Sequence, residues 1–132
     1  MANGSITVDL MPEGGIIDRA GGIIFGLKNA ANYFVFRINA LEHNAILFEF
    51  INGKRVERSK AELVITSGRW YRLDVAITGS QVICSIDAQP VITYAAGTTI
   101  RGHVGVWTKA ASATWFRQLI CDTATGTKVF TY

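Results

Sequence analysis

The chain has little proline and little cysteine, and each scarcity excludes a class of protein. Among 132 residues there are 2 prolines and 2 cysteines, so neither a proline-rich linker nor a disulfide framework organises it. No apolar run approaches the roughly 18 residues that a membrane helix needs, and the first residues lack the basic start and apolar stretch of a signal peptide. We expect one soluble domain over residues 1–132 with no membrane partner. Its location stays open, since it could be cytoplasmic or a fragment of a longer secreted protein.

The charged residues and the cysteines form no motif for metal or nucleic acid. The formal net charge is +3, and glutamates interrupt the densest basic group, around Lys54 and Arg55, which indicates a solvated hairpin. Cys84 alternates with apolar residues, as a small buried hydrophobe would. Cys84 and Cys121 could pair only if their strands are neighbours, and no Cys-x-x-Cys spacing is present. We therefore expect reduced structural cysteines, no metal, no cofactor and no nucleic-acid partner, with calcium possible but supported by no motif.

Glycine and Asn-Gly turns separate short runs rich in Ile, Val, Phe, Tyr and Thr, which is typical of an all-β protein. No segment shows sustained helical periodicity, although one helical turn is predicted near residues 97–100. About a dozen short strands cannot lie in one flat sheet, so we predict a two-sheet antiparallel sandwich. The predicted strands are 6–11, 21–27, 33–40, 45–51, 54–58, 61–65, 70–78, 81–87, 91–94, 103–108, 114–121 and 128–132.

Several motifs follow one another in a fixed order between residues 20 and 120. They are Ala20-Gly21-Gly22-Ile23-Ile24-Phe25, Asn32-Tyr33-Phe34 with Arg37, Asn52-Gly53-Lys54, Gly68-Arg69-Trp70 before Leu73, and Gly102 through Lys109 followed by Thr114 and Phe116. In this order they resemble the concanavalin A-like jelly-roll superfamily, and within it laminin G-like bacterial domains, including those related to 3-keto-disaccharide hydrolases. The resemblance implies two curved sheets, with carbohydrate often bound on the concave one.

The chain departs from that family pattern at places that bear on function. Such domains often carry a basic or polar residue at Gly26, acidic residues where Arg117-Gln118 stand, and Asp-Gly where Asp87-Ala88 stands. Losing the acidic pair removes plausible calcium or catalytic oxygens. The chain also begins near what would be the second or third strand of a longer relative. Either residues 128–132 cover the sheet edge left open, or a second copy does, which would make a homo-oligomer.

The stretch from residue 32 to the Asn52-Gly53 turn predicts a hairpin with one apolar and one polar face. A sugar stacks its apolar face on an aromatic ring and pairs its hydroxyls with planar polar groups. The leading hypothesis is therefore a carbohydrate-binding, lectin-like module that uses the concave face. The predicted ligand-binding residues are Tyr33, Arg37, Asn39, Glu49, His103, Trp107 and Lys109, with Trp107 stacking, Arg37 donating, and Asn39 and Glu49 accepting hydroxyl protons.

Two alternatives stay open. The first is a small glycoside-processing hydrolase that uses Glu49 or His103, although such chemistry needs two carboxylates and the Glu-x-Asp-x-x-Glu signature of family 16 glycoside hydrolases is absent. Glu49 is more simply an ion-pair partner of Arg37. A metal site made of His43, His103 and Glu42 has no spacing in its favour. The second alternative is a structural or assembly domain that pairs through an open sheet edge.

Overall fold

The described residues form two antiparallel sheets that pack into a sandwich. The computed structural model describes residues 3–15, 20–108, 112–123 and 126–131. One sheet has the order β11-β10-β1-β6-β7-β8 and the other the order β5-β4-β3-β2-β9. The strands are β1 (Gly4–Gly15), β2 (Ala20–Asn29), β3 (Asn32–Asn39), β4 (Asn44–Ile51), β5 (Lys54–Glu62), β6 (Tyr71–Thr78), β7 (Gln81–Ile86), β8 (Gln89–Ala95), β9 (His103–Thr108), β10 (Ser112–Thr123) and β11 (Gly126–Thr131).

The predicted two-sheet antiparallel sandwich is confirmed, with two local corrections. Strand β5 contains the predicted strand 54–58 and only the first two residues of the predicted strand 61–65, and it pairs along its length with β4 through one bulge. Residues 63–65 lie outside the strands. The helical turn predicted at 97–100 is wrong. Gly97 has a φ of +82°, and the amide of Ile100 donates to the carbonyl of Gly79 at 3.0 Å. That bond, together with the burial of Ile100 in the core, holds the segment as a bend between β8 and β9.

The core lies between the two sheets and follows from strict alternation along the strands. On β6, Tyr71, Leu73, Val75 and Ile77 are buried while Arg72 is exposed, as the period-two pattern predicts. The residues of this core are Ile6, Val8, Leu10, Ile23, Phe25, Phe34, Phe36, Ile38, Ala40, Ala45, Leu47, Ile65, Tyr71, Leu73, Val75, Ile77, Val82, Cys84, Ile86, Ile92, Ile100 and Leu119. Burial of this apolar surface is the main force that holds the sandwich together.

The two cysteines lie in one cross-strand row of the six-stranded sheet but are not neighbours. Cys121 pairs with Ile6, Ile6 with Val75, and Val75 with Cys84. Three strand spacings separate the two Cα atoms by about 14 Å, well beyond disulfide reach. The two cysteines are not joined by a disulfide. Burial raises the pKa of the Cys84 thiol, so Cys84 is the buried structural residue that its alternation predicts.

The edge strands are β5 and β9 in one sheet and β8 and β11 in the other. Strand β11 lies beside β10, so the last predicted strand does form an edge. Six of the 9 residues of β5 are charged, and Pro90 lies in β8. Charge and proline on an edge strand disfavour pairing with another chain. Oligomerisation through an edge stays a prediction.

The Asp87-Ala88 turn carries strain that a glycine would relieve. Both residues have positive φ, 49° for Asp87 and 68° for Ala88. A non-glycine residue in this left-handed region costs about 1 kcal/mol or more. We expect Ala88→Gly to raise the free energy of unfolding by up to about 1 kcal/mol and the Tm by a few degrees.

Ala95→Gly is the matched control for that measurement. Ala95 is an exposed residue of β8 whose φ is not positive. The same substitution there should lower stability by roughly 0.5–1 kcal/mol, because glycine loses more backbone entropy in a strand. Equal Tm shifts for the two variants in thermal denaturation would contradict the strained-turn explanation.

Candidate functional site on the five-stranded sheet

One cross-strand row on the outer face of the five-stranded sheet brings Trp107 and Arg37 near each other. Trp107 on β9 pairs with Gly22 on β2, and Gly22 pairs with Arg37 on β3. Their Cα atoms are thus two strand spacings apart, about 10 Å. Because the β2 residue between them is Gly22, no β2 side chain lies between the indole and the guanidinium in this row. This row is the centre of the candidate site.

A buried hydrogen-bond network holds Arg37 in place. Its Nη1 donates to Oδ1 of Asn44 at 2.6 Å, and its Nη2 donates to Oε2 of Glu42 at 3.2 Å. The side-chain Nδ2 of Asn44 donates to the same Oε2 at 3.4 Å, which closes a three-residue ring. Arg37 is 5% exposed and Asn44 is 3% exposed, whereas the Glu42 side chain is 48% exposed. Two buried donors, Arg37 and Asn44, therefore fix the position of the half-exposed Glu42 carboxylate.

The loop that carries Glu42 is shaped by Asn39. The Oδ1 of Asn39 accepts from the amides of Leu41 and Glu42 at 2.8 and 2.9 Å, and its carbonyl accepts from the amide of His43 at 2.9 Å. An amide oxygen has two lone pairs, and both are used here. The backbone therefore already uses the Asn39 oxygen that was predicted to accept a sugar hydroxyl, and a ligand role for Asn39 stays a prediction. Asn39 is a turn residue that positions Glu42.

An apolar strip continues the face along β3 and β4. The Phe48 ring lies between two guanidiniums, with Cζ of Arg37 at 5.4 Å and Cζ of Arg55 at 4.7 Å from its centroid. Further along, Tyr33 stacks on Phe50 with 4.5 Å between ring centroids. Tyr33 and Arg37 share this face, as predicted, but four strand positions, about 13 Å, separate them. Tyr33 therefore lies at the far end of the strip.

Glu49 lies on the opposite face of the sheet from Arg37, which corrects the predicted face of this residue, while its role as a ligand contact stays a prediction. Asn44, Ile46, Phe48 and Phe50 pair with the outward residues of β3, whereas Glu49 pairs with Phe34 of the core. Its Oε1 is bound by Nε and Nη2 of Arg58, each at 2.9 Å. Glu49 therefore does not form the expected ion pair with Arg37. Its described side-chain contacts are with Arg58 and include no second carboxylate. The observed partners are Glu42 for Arg37 and Arg58 for Glu49.

His103 and the remaining predicted residues do not join the network. His103 is exposed and pairs with Leu27, four positions along β9 from Trp107. His43 is on the loop, where its Nδ1 accepts from the amide of Ile65 at 3.2 Å. Lys109 lies outside the described residues. Glu49 and His103, the two weak catalytic candidates, are on different faces and separated by β3 and β2, so they form no common cleft.

Glu42 and Asn44 are the site residues that sequence reasoning missed. The signal was present in the sequence, since Asn39 begins a short polar loop that returns the chain to β4. Such Asx turns are common where Asn precedes a tight reversal.

Within the described part of the chain, no three His, Cys, Asp or Glu side chains gather as a metal-binding group, and no helix could cross a membrane.

Comparison with known proteins identifies the fold. The sequence matches no protein-family model and no curated protein. Among solved structures, the chain is similar to the carbohydrate-binding module CBM66 from Bacillus subtilis, with a TM-score of 0.81 and 20% identity over 90% of this chain and 74% of that one. For a galectin, LEC-6 of Caenorhabditis elegans, the TM-score is 0.66 and the identity 12%, over 98% of this chain and 84% of the galectin. For a Bacillus licheniformis beta-glucanase, the TM-score is 0.61 and the identity 11%, over 86% of this chain and 55% of the glucanase.

These structures share the concanavalin A-like jelly-roll sandwich, so this chain has that fold, as its motifs suggested. The laminin G-like part of the resemblance is untested and stays a prediction. At these identities the likeness establishes architecture. The ligand has to be argued from the chain's own residues.

Proposed function

We propose that this protein is a carbohydrate-binding module whose site lies on the outer face of the five-stranded sheet, around Arg37, Asn44, Glu42 and Trp107. The observation that carries the proposal is the buried arginine–asparagine pair that fixes the half-exposed carboxylate of Glu42, with Arg37 in the same cross-strand row as the indole of Trp107. The carbohydrate-binding module and the galectin among the structural neighbours support the same class of ligand.

The chemistry of the site suits a neutral sugar. A fixed carboxylate accepts hydrogen bonds from adjacent hydroxyls, and Oε1 of Glu42 has no partner among the described residues, so it has the capacity to accept. An indole offers an apolar face to the C–H side of a pyranose or furanose ring. Because the donors to Glu42 are buried, its carboxylate is pre-organised, and binding loses little side-chain entropy. Arg37 acts through Glu42 and is a positioning residue.

The proposal is tested by a glycan-array screen of the purified protein with and without calcium, followed by calorimetric titration of a hit. Trp107→Ala and Glu42→Gln should each weaken affinity by about tenfold or more, since each removes a main contact. Glu49→Gln is the matched control, because the same isosteric change on the other face should leave affinity within about twofold. We expect calcium to change nothing.

Two outcomes would overturn the proposal. One is equal affinity of the Trp107→Ala and Glu42→Gln variants and the parent protein. The other is an affinity that falls for Glu49→Gln and not for Glu42→Gln, which would place the site around the originally predicted carboxylate. Cleavage of the bound saccharide during incubation would replace the binding module with a hydrolase.

A further inference from the structure

The outer face of the six-stranded sheet carries a second cluster of charge, independent of the proposed sugar site. Asp9 on β1 lies directly opposite Arg72 on β6. Its Oδ1 accepts from Nε of Arg72 at 2.9 Å, and its Oδ2 accepts from Nη2 of Arg72 at 3.2 Å and from Nη2 of Arg117 at 3.4 Å. The hydrogen bonds from Arg72, with the charge of Arg117 nearby, hold the pKa of Asp9 below its ordinary value. One partly buried carboxylate therefore binds two guanidinium groups.

Two of the guanidiniums near this cluster, those of Arg69 and Arg117, stack on aromatic rings. Cζ of Arg117 lies 4.0 Å from the ring centroid of Trp70, and Cζ of Arg69 lies 4.2 Å from that of Tyr71. A planar guanidinium stacked on an aromatic ring keeps its edge N–H donors free to point into solvent. Because Arg117 occupies a face of Trp70, this indole is less suited to stacking on a sugar than Trp107.

The cluster has a surplus of positive charge and of donors. Three arginines, Arg69, Arg72 and Arg117, are matched by two carboxylates, Asp9 and Asp87, which leaves one positive charge. The side chains of Arg72 and Arg117 are 62% and 55% exposed, whereas that of Asp9 is 13% exposed. Each guanidinium has five N–H donors, and the Nη1 groups of both arginines and Nε of Arg117 have no partner among the described residues.

The exposed arginines border an open depression of about 390 Å³, whose lining includes Asp9, Trp70, Arg72, Asp87 and Arg117. That volume is near the lower end of the range for small-ligand sites. A single depression of this size does not match a nucleic-acid backbone, which needs a basic stripe that follows many phosphates.

We infer that this depression binds one oxyanion, the carboxylate or sulfate of an acidic saccharide, between Arg72 and Arg117. Both groups present paired oxygens that match a guanidinium edge, and the donors that Asp9 leaves unused are Nη1 of Arg72 and Nε and Nη1 of Arg117. The site is on the other sheet from the proposed sugar site, so the two proposals stand or fall separately.

The experiment titrates ¹⁵N-labelled protein with sodium glucuronate and, separately, with sodium sulfate, at constant ionic strength set with sodium chloride. The readout is the indole N–H resonance of Trp70, assigned from the Trp70→Phe variant. We expect saturable shifts with at least one anion, and the responding anion then distinguishes a carboxylate from a sulfate source. Arg117→Gln should weaken binding by about tenfold or more, because it removes a charged pair of donors.

Two further variants keep the test decisive. Arg117→Lys keeps the charge and loses the planar fork, so it should bind with intermediate affinity and show that the fold is intact. Arg101→Gln removes the same charge from an exposed loop residue before β9 and should bind as the parent protein does. The inference is overturned if neither anion shifts the Trp70 resonance, or if Arg101→Gln and Arg117→Gln weaken binding equally.

Discussion

Replacing Gly22 with alanine is expected to lower the free energy of unfolding by about 3 kcal/mol or more and the Tm by on the order of 10 °C. A β-carbon at Gly22 would lie 2.7 Å from Cα of Arg37 and closer still to the carbonyl oxygen of Phe36. Both contacts are with the backbone of β3, so no side-chain rotation relieves them. The strand pair β2–β3 would have to separate in the centre of the five-stranded sheet.

Gly105→Ala is the matched control for this prediction. Gly105 lies on β9 beside Ile24, in the next outward row of the same sheet, and a β-carbon there would meet no atom within 4 Å. Its φ is not positive. Alanine should therefore be neutral or slightly stabilising, because it restricts the unfolded chain. Similar losses for the two variants in chemical denaturation would show that close strand approach at Gly22 is not the cause.

Arg37→Met is expected to destabilise the protein by about 2–4 kcal/mol and to abolish binding at the proposed sugar site. The substitution leaves Oδ1 of the buried Asn44 without its 2.6 Å donor. An unsatisfied buried acceptor costs its full desolvation free energy, about 1–3 kcal/mol, and the loss of packing on Phe48 adds to that cost. Glu42 is half exposed, so water compensates its lost ion pair.

The double variant Arg37→Met, Asn44→Leu separates the cost of the unsatisfied Asn44 acceptor from the cost of lost packing. Replacing both partners of a buried hydrogen bond with apolar side chains is close to neutral when their shapes fit. We expect the double variant to recover at least half of the stability lost in Arg37→Met, while binding stays absent because Glu42 is no longer held. Denaturant titration measures the first effect, and calorimetry with an array hit measures the second. A double variant less stable than Arg37→Met would contradict the role given to Asn44.

Much of the fold could be predicted from local pattern. Alternation on β6 and the Asn52-Gly53 turn depend on neighbours in sequence, and both are observed, with Asn52 and Gly53 at φ 51° and 80°. The continuation of the predicted strand 54–58 as far as Glu62 could not be predicted without knowing its partner, because it is pairing with β4 that keeps residues 59–62 extended.

The candidate site was harder to predict because it depends on register. Glu49 has the right residue type for a ligand contact, yet the β3–β4 register sets it opposite Phe34 and turns it away from Arg37. The same register pairs Asn44 with Asn39, and the loop between them places the Glu42 carboxylate within hydrogen-bond distance of the Arg37 guanidinium. A one-residue change in register exchanges the two faces of a strand, so a face assignment across a hairpin requires the loop geometry as well as the alternation.

We propose that the outer face of the five-stranded sheet binds saccharide around Glu42 and Trp107. The most direct test is a map of backbone amide shifts as an array-identified saccharide is titrated into ¹⁵N-labelled protein. We expect the largest shifts at Gly22, Arg37, Glu42 and Trp107, with little change at Asp9 and Arg72 on the other sheet. Saturable shifts confined to the six-stranded sheet, or to the core-facing neighbours of Glu49, would contradict it.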